Sequence, residues 1–189
     1  ADVFFLVDMT GSMGEERTNL IRGLLDTIIP GVSAAIPNVE FGVGGFDDYP
    51  YSGYGSASPG VVGPGADRPF YLLREIAPGM QDLGAWSTTA SATLCPQVNA
   101  ASPDAIGTIT AGPNRRPDLL EAVEGLPCHY GADYPESYVP ALWATATGMG
   151  LTWPGGMVPG RACTAIPDEI GRRRGYPCFR PGSLPIILL

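Results

Sequence analysis

Lysine is absent from this 189-residue sequence, in which all eleven basic residues are arginine, and histidine occurs only once. The absence of lysine excludes catalysis that depends on a lysine amine, such as Schiff-base formation. Nineteen acidic residues give a formal net charge of −8, and such a chain repels phosphate backbones and anionic lipid surfaces. No apolar run is long enough to span a bilayer. We therefore expect neither nucleic-acid binding nor direct membrane insertion of this segment.

Cysteine is also scarce, and none of the four cysteines belongs to a C-x-x-C pair. This spacing argues against a zinc ribbon and against a dithiol redox motif. An even number of cysteines in or beside loops is typical of disulfides formed in an oxidising compartment. We expect a Cys163–Cys178 bond, which would close a loop rich in proline and glycine, and a Cys95–Cys128 bond by elimination. Four reduced, buried thiols are the alternative. Disulfides predict an extracellular or cell-surface location, either secreted or periplasmic.

The apolar pattern of the first 46 residues predicts an α/β fold. Residues 2–7 form a nearly continuous apolar run, which is typical of a strand buried on both faces of a parallel sheet. Apolar residues recur at helical spacing from Thr18, and we expect Pro30 and Gly31 to end that helix. Residues 39–46 predict a second strand. Strand, helix and strand together form a βαβ unit.

The remainder of the chain predicts few regular elements within one domain that covers residues 1–189. Residues 69–76 predict an edge strand because they begin with proline. Residues 118–125 and 135–147 predict helices, and residues 184–189 predict a last strand. The 26 glycines and 20 prolines predict long loops. We expect loop insertions at about 47–67, 79–116 and 151–182.

Three oxygen-bearing residues alternate in the loop between the first strand and the first helix, namely Asp8, Thr10 and Ser12. An extended turn would aim all three side chains at one point. One carboxylate and two hydroxyls supply half of the octahedral oxygen shell that Mg²⁺ requires. The carboxyl edge of an open α/β sheet is also where ligands bind. The plainer interpretation is an ordinary helix-capping loop.

These residues resemble the D-x-S/T-x-S signature of von Willebrand factor A-like domains, whose site is the metal-ion-dependent adhesion site. Residues 133–136, Asp-Tyr-Pro-Glu, are similar to the D-x-P-E element of the integrin β-subunit I-like domain. Residues 41–48 are similar to that subfamily's second strand and its terminal aspartate, and residues 69–78 resemble a later strand. The resemblance implies a Rossmann-like open sheet, mostly parallel and flanked by helices. It also implies a domain that is partial at its C-terminus, truncated after the fourth strand.

The resemblance implies a central Mg²⁺ or Mn²⁺ ion and two flanking sites that can take Ca²⁺. Asp8, Thr10 and Ser12 would face the central ion, and Glu136 would approach it from the opposite side. Acidic residues in the first turn of the helix would hold an adjacent ion, namely Glu15 and Glu16. The third ion would be held by Asp48, Asp133, the Pro135 carbonyl and Glu136. These acids also have plainer interpretations. Those in the first turn of a helix suit its dipole, and those in a loop are ordinary turn residues.

The implied function is adhesion, in which a protein partner fills an open coordination position of the ion with an exposed Asp or Glu. Tyr49, Tyr51 and Tyr54 form a candidate ligand-binding loop, as tyrosines do in antibody paratopes. We expect a binding module and not an enzyme. One alternative is a structural domain of the same fold, in a secreted protein, without metal-dependent ligand binding. A minor alternative is an aspartyl-phosphate phosphoryl-transfer enzyme, because the Asp8 loop superficially resembles that of P-type ATPases.

Overall fold

The computed structural model describes residues 1–10, 13–49, 67–76, 119–124, 137–154, 156–163 and 174–189. Within these ranges the chain forms a four-stranded sheet and a separate two-stranded hairpin. The strands of the larger sheet are β1 (Asp2–Asp8), β2 (Glu40–Phe46), β3 (Tyr71–Arg74) and β6 (Pro185–Leu188). The hairpin consists of β4 (Leu151–Trp153) and β5 (Gly156–Val158). The expected insertion at residues 79–116 lies outside the described residues, as does most of the one at 47–67.

Strand β1 is the centre of the fold because its side chains enter two different cores. Side chains alternate between the faces of a strand, so Val3, Phe5 and Val7 pack into one apolar cluster. Phe4 and Leu6 pack into the cluster on the other face. Full burial of each such side chain contributes about 1.5–3 kcal/mol. The continuous apolar run therefore reflects a strand covered on both faces, as predicted.

The large sheet is mixed and mostly parallel, in the order β3-β2-β1-β6. Strand β1 runs parallel to β2, from the Asp2/Glu40 pair to the Asp8/Phe46 pair. It also runs parallel to β6, whereas β3 is antiparallel to β2 and occupies the outer position next to it. This mixed, mostly parallel sheet with its helices is compatible with the predicted α/β class and an open sheet.

Glycines in β2 leave room for aromatic rings of the two neighbouring strands. A Cβ atom at Gly44 would lie 2.7 Å from the Phe4 ring and 2.7 Å from the Tyr71 carbonyl oxygen. Such a distance is shorter than any ordinary van der Waals contact. Glycine at position 44 therefore gives the Phe4 ring its place in the core.

The first helical region continues beyond the point at which we expected it to end. Helix α1 (Gly14–Gly23) passes into a π-helical turn (Leu24–Ile28) and then into helix α2 (Ile29–Ala35). The prediction that Pro30 and Gly31 end the helix was wrong. The Ile29 amide bonds to the Leu24 carbonyl five residues back, and Pro30 is the second residue of α2. The π-helical turn accommodates Pro30, because its widened backbone makes room for the ring and for the hydrogen bond that proline cannot donate.

Helices α3 (Leu119–Glu124) and α4 (Tyr138–Thr147) agree with the two later helices expected from sequence. Strand β6 likewise agrees with the predicted last strand. The interval 151–182 was predicted as a loop, and this was wrong because residues 151–158 form the β4–β5 hairpin. Each of its strands has only three residues, which is too short for an alternating pattern to stand out.

Two segments distant from α4 in sequence hold its C-terminal end. The Tyr176 amide donates to the Thr145 carbonyl at 2.9 Å, and the Arg161 amide donates to the Gly148 carbonyl at 2.8 Å. These bonds satisfy carbonyl groups that a helix end leaves without partners. The predicted Cys163–Cys178 disulfide is present and joins the two segments. The predicted Cys95–Cys128 bond lies outside the described residues.

The amino edge of the sheet is held by a buried carboxylate. Asp2 is fully buried and accepts hydrogen bonds from the Arg180 amide, the Arg180 guanidinium and the Ser183 hydroxyl. The same guanidinium donates to the Asn38 and Ala1 carbonyls. A single arginine therefore joins the start of β1 to the start of β2 and the approach to β6. A buried charge of this kind is stable only when it is paired.

In the part of the chain that the structure describes, no helix is both long and apolar enough to cross a membrane.

Replacement of both Cys163 and Cys178 by alanine should lower the free energy of unfolding by about 3 kcal/mol, because the bond closes a loop of 15 residues in the unfolded chain. Urea denaturation of the variant and of the oxidised wild type measures this difference. A loss below about 1 kcal/mol would contradict the role given to the bond.

Candidate functional site

The candidate site lies at the carboxyl edge of β1, where the order of the strands reverses. Strands β2 and β3 lie on one side of β1, and the last strand, β6, lies on the other. In open α/β sheets, ligands bind outside the carboxyl ends of the strands at such a reversal. The Asp8–Thr10 turn leaves β1 at this point.

The turn brings two of the predicted oxygen ligands together. Oδ1 of Asp8 accepts hydrogen bonds from the Thr10 amide at 2.9 Å and from the Thr10 hydroxyl at 2.7 Å. Thr10 is fully buried, and Asp8 is half-buried. The Met13 amide in turn donates to the Thr10 carbonyl at 3.0 Å. The third predicted ligand of this loop, Ser12, lies outside the described residues.

Helix α1 begins shortly after this turn. Its N-cap is Met13, whose own side chain makes no capping hydrogen bond. Glu15 and Glu16 lie in the first turn of α1, directly after the loop that carries Asp8 and Thr10.

The end of β2 places two further acids beside this turn. The Met9 amide donates to the Phe46 carbonyl at 3.0 Å, so the pairing of β1 and β2 extends one residue beyond Asp8. Asp47 and Asp48 directly follow this pairing, so they leave β2 at the same edge of the sheet as the turn. Both carboxylates are buried.

Asp47 faces the segment that precedes β3. Its amide donates to the Arg68 carbonyl at 2.7 Å, and its Oδ2 accepts from the Arg68 amide at 3.4 Å. Burial lowers the pKa of the Arg68 guanidinium, and the Asp47 carboxylate opposes that shift. Asp67, which precedes this arginine, is buried as well. Asp47 therefore stabilises the path of the chain into β3.

Asp48 faces the beginning of α4 instead. The Ser137 hydroxyl donates to Asp48 Oδ1 at 3.4 Å, across 89 residues of sequence, and both residues are buried. Ser137 immediately follows Glu136 in the chain. The start of α4 and the carboxyl end of β2 are therefore in contact. Asp133, Pro135 and Glu136 themselves lie outside the described residues.

The chemistry of these groups suits a hard cation, although carboxylates alone do not complete a site. Hard cations take carboxylate and hydroxyl oxygens, which Asp8, Thr10 and Asp48 supply. Among the residues that the structure describes, no three histidine, cysteine, aspartate or glutamate side chains converge closely enough to hold a metal ion. A cation here would therefore need hydroxyl oxygens together with the ligands predicted at Ser12 and Glu136.

The predicted ligand-binding loop is described only at its first residue. Tyr49 is half-buried, and the edge of its ring packs against Trp153 with 5.5 Å between ring centroids. Tyr51 and Tyr54 lie outside the described residues. The first residue of this loop therefore packs against β4 of the hairpin.

The contact made by Ser137 was not predicted from the sequence. Ser137 lies inside the predicted helix 135–147, whereas in the structure it is the N-cap of α4, a position at which serine is preferred. What the sequence could not indicate is that its hydroxyl bonds to Asp48 instead of to the helix.

Replacement of Thr10 by valine should lower the free energy of unfolding by about 1–2 kcal/mol, because it removes a hydroxyl that donates to a carboxylate without changing the side-chain volume. Urea denaturation measures the change. Thr10→Ser is the matched control, since it keeps the hydroxyl and loses one methyl group, worth about 0.8 kcal/mol. If valine costs no more than serine, the Asp8–Thr10 bond does not stabilise the turn.

The chain matches no protein-family model, no curated protein and no solved structure.

Proposed function

We propose that this chain is a divalent-cation-dependent binding module. A cation at the carboxyl edge of β1 would engage an acidic group of a protein partner. The observation that carries this proposal is the contact between Asp48 and Ser137, beside the Asp8–Thr10 turn. Three segments of the chain that are remote in sequence meet at one edge of the sheet with oxygen-bearing side chains. A helix cap or an isolated turn would not require this convergence.

The strand order and the motifs support a fold of the von Willebrand factor A type, closest to the integrin β-subunit I-like domain. A parallel β1–β2 pair with an antiparallel β3 outside it is compatible with that arrangement. In this proposal Asp8, Thr10 and Ser12 hold a central Mg²⁺ or Mn²⁺ ion together with Glu136. Flanking Ca²⁺ sites would use Glu15, Glu16, Asp48, Asp133 and the Pro135 carbonyl.

The proposed binding follows from electrostatics. Divalent ions such as Mg²⁺ and Ca²⁺ bind carboxylate and hydroxyl oxygens, which this edge of the sheet carries. An ion with an open coordination position attracts a further oxygen ligand. The carboxylate of an Asp or Glu on the partner fills this position and neutralises positive charge of the ion. An extracellular or cell-surface setting is consistent with the Cys163–Cys178 disulfide, because such bonds persist in oxidising compartments.

Thermal unfolding tests whether the chain binds a cation. The protein is freed of metal with EDTA, dialysed and then heated at increasing Mg²⁺ or Mn²⁺ concentrations. At a concentration 100 times the dissociation constant, binding stabilises the folded state by about 2.7 kcal/mol. For a chain of this size we expect Tm to rise by roughly 5–10 °C.

Asp8→Asn should abolish this rise, because it removes the negative charge of the central site. Asp26→Asn is the matched control: Asp26 is an exposed carboxylate on the π-helical turn, and its loss removes the same charge elsewhere. The control should respond to cation like the wild type. If the wild-type Tm does not change with either cation, the structural alternative is correct and the binding module is not.

A further inference from the structure

Ser137 occupies the N-cap of α4 without capping the helix through its side chain. Its carbonyl accepts the first helical hydrogen bond, from the Ala141 amide at 3.1 Å. Its hydroxyl makes no hydrogen bond to the backbone of the first turn. An N-cap serine ordinarily accepts a bond there from the second or third helical amide.

The sequence of the first turn explains why the hydroxyl is available. The third helical residue is Pro140, which has no amide hydrogen. The Pro140 nitrogen therefore cannot donate to the N-cap side chain. Of the two amides that usually do so, only that of Val139 remains. The benefit of capping is smaller in this helix than in most. The Ser137 hydroxyl instead donates to Asp48 Oδ1.

Packing fixes the position of this hydroxyl. The inner face of α4 is buried at Ala141, Ala144 and Thr145, and the two alanines belong to the same apolar cluster as Phe4 and Leu6 of β1. The residues Ser137 and Asp48 are only 6% and 5% exposed, so bulk water has little access to their contact. The orientation of the Asp48 carboxylate therefore depends on where α4 lies.

We propose that Ser137 is a positioning residue for the cation site. Its hydroxyl bonds one oxygen of Asp48, limits rotation of that carboxylate and links the cation site to α4. This proposal rests on the proposed function, in which Asp48 is a ligand of a flanking ion. Groups that hydrogen-bond a metal ligand hold it in the binding orientation, and their loss typically weakens metal affinity about 10- to 100-fold.

The test compares cation titrations of the folded protein, monitored as the rise of Tm with Mg²⁺ and, separately, with Ca²⁺. Ser137→Ala should raise the midpoint of the Ca²⁺ titration at least about 10-fold. Ser137→Thr keeps the hydroxyl and should restore the midpoint to within about 3-fold of wild type. Thr147→Ala is the matched control, because it removes a hydroxyl from the opposite end of α4, where that hydroxyl bonds the Trp143 carbonyl. It should leave the midpoint unchanged.

A purely structural role for Ser137 gives a different result. In that case Ser137→Ala lowers Tm equally with and without cation and leaves both midpoints unchanged, which overturns the proposal. Equal weakening by alanine and threonine also overturns it, because packing and not the hydroxyl would then set the affinity. If the wild type binds cation and only the Ser137 prediction fails, the proposed function stands. If the wild type shows no response to either cation, both proposals fail.

Discussion

The parallel pairing of β1 with β2 is the interaction on which the rest of the structure depends. Because β1 is covered on both faces and paired on both edges, its position is fixed by two apolar cores and two hydrogen-bonded neighbours. Parallel strands end at the same edge, so the register that pairs Asp8 with Phe46 also brings Asp48 to the edge at which the Asp8–Thr10 turn lies. Helix α4 packs against the face of the sheet that carries Phe4 and Leu6, and this packing brings Ser137 to Asp48. The candidate site is therefore a consequence of how the sheet is assembled.

The parts of the fold that could be predicted from sequence are those whose signal is local and strong. A continuous apolar run predicted β1, and cysteines that flank a loop predicted the Cys163–Cys178 bond. Two predictions were wrong, one because of an irregularity within the helix and one because of packing in the core. Pro30 continues a helical region, since the π-helical turn just before it accommodates the proline. The β4–β5 hairpin was missed because its strands have three residues each, and packing of Leu151, Trp153 and Val158 into the core stabilises them.

The candidate site could be predicted in part. Alternation of Asp8 and Thr10 after a buried strand indicated that their oxygens would meet, and they lie 2.7 Å apart. The partner of Asp48 could not be predicted, because its contact with Ser137 spans 89 residues and depends on where α4 packs. A serine before a helix is ordinarily read as a cap. Only the packed structure shows that the Ser137 hydroxyl bonds to an acid that follows β2.

The central claim is that oxygens from remote segments hold one ion at the carboxyl edge of β1. A crystal of the protein soaked in Mn²⁺ and measured at the manganese absorption edge tests it most directly. The account predicts an anomalous peak about 2.0–2.6 Å from oxygens of the Asp8–Ser12 loop and of Glu136. A Glu136 carboxylate that lies on another side of the molecule, with no anomalous peak near Asp8, would contradict it.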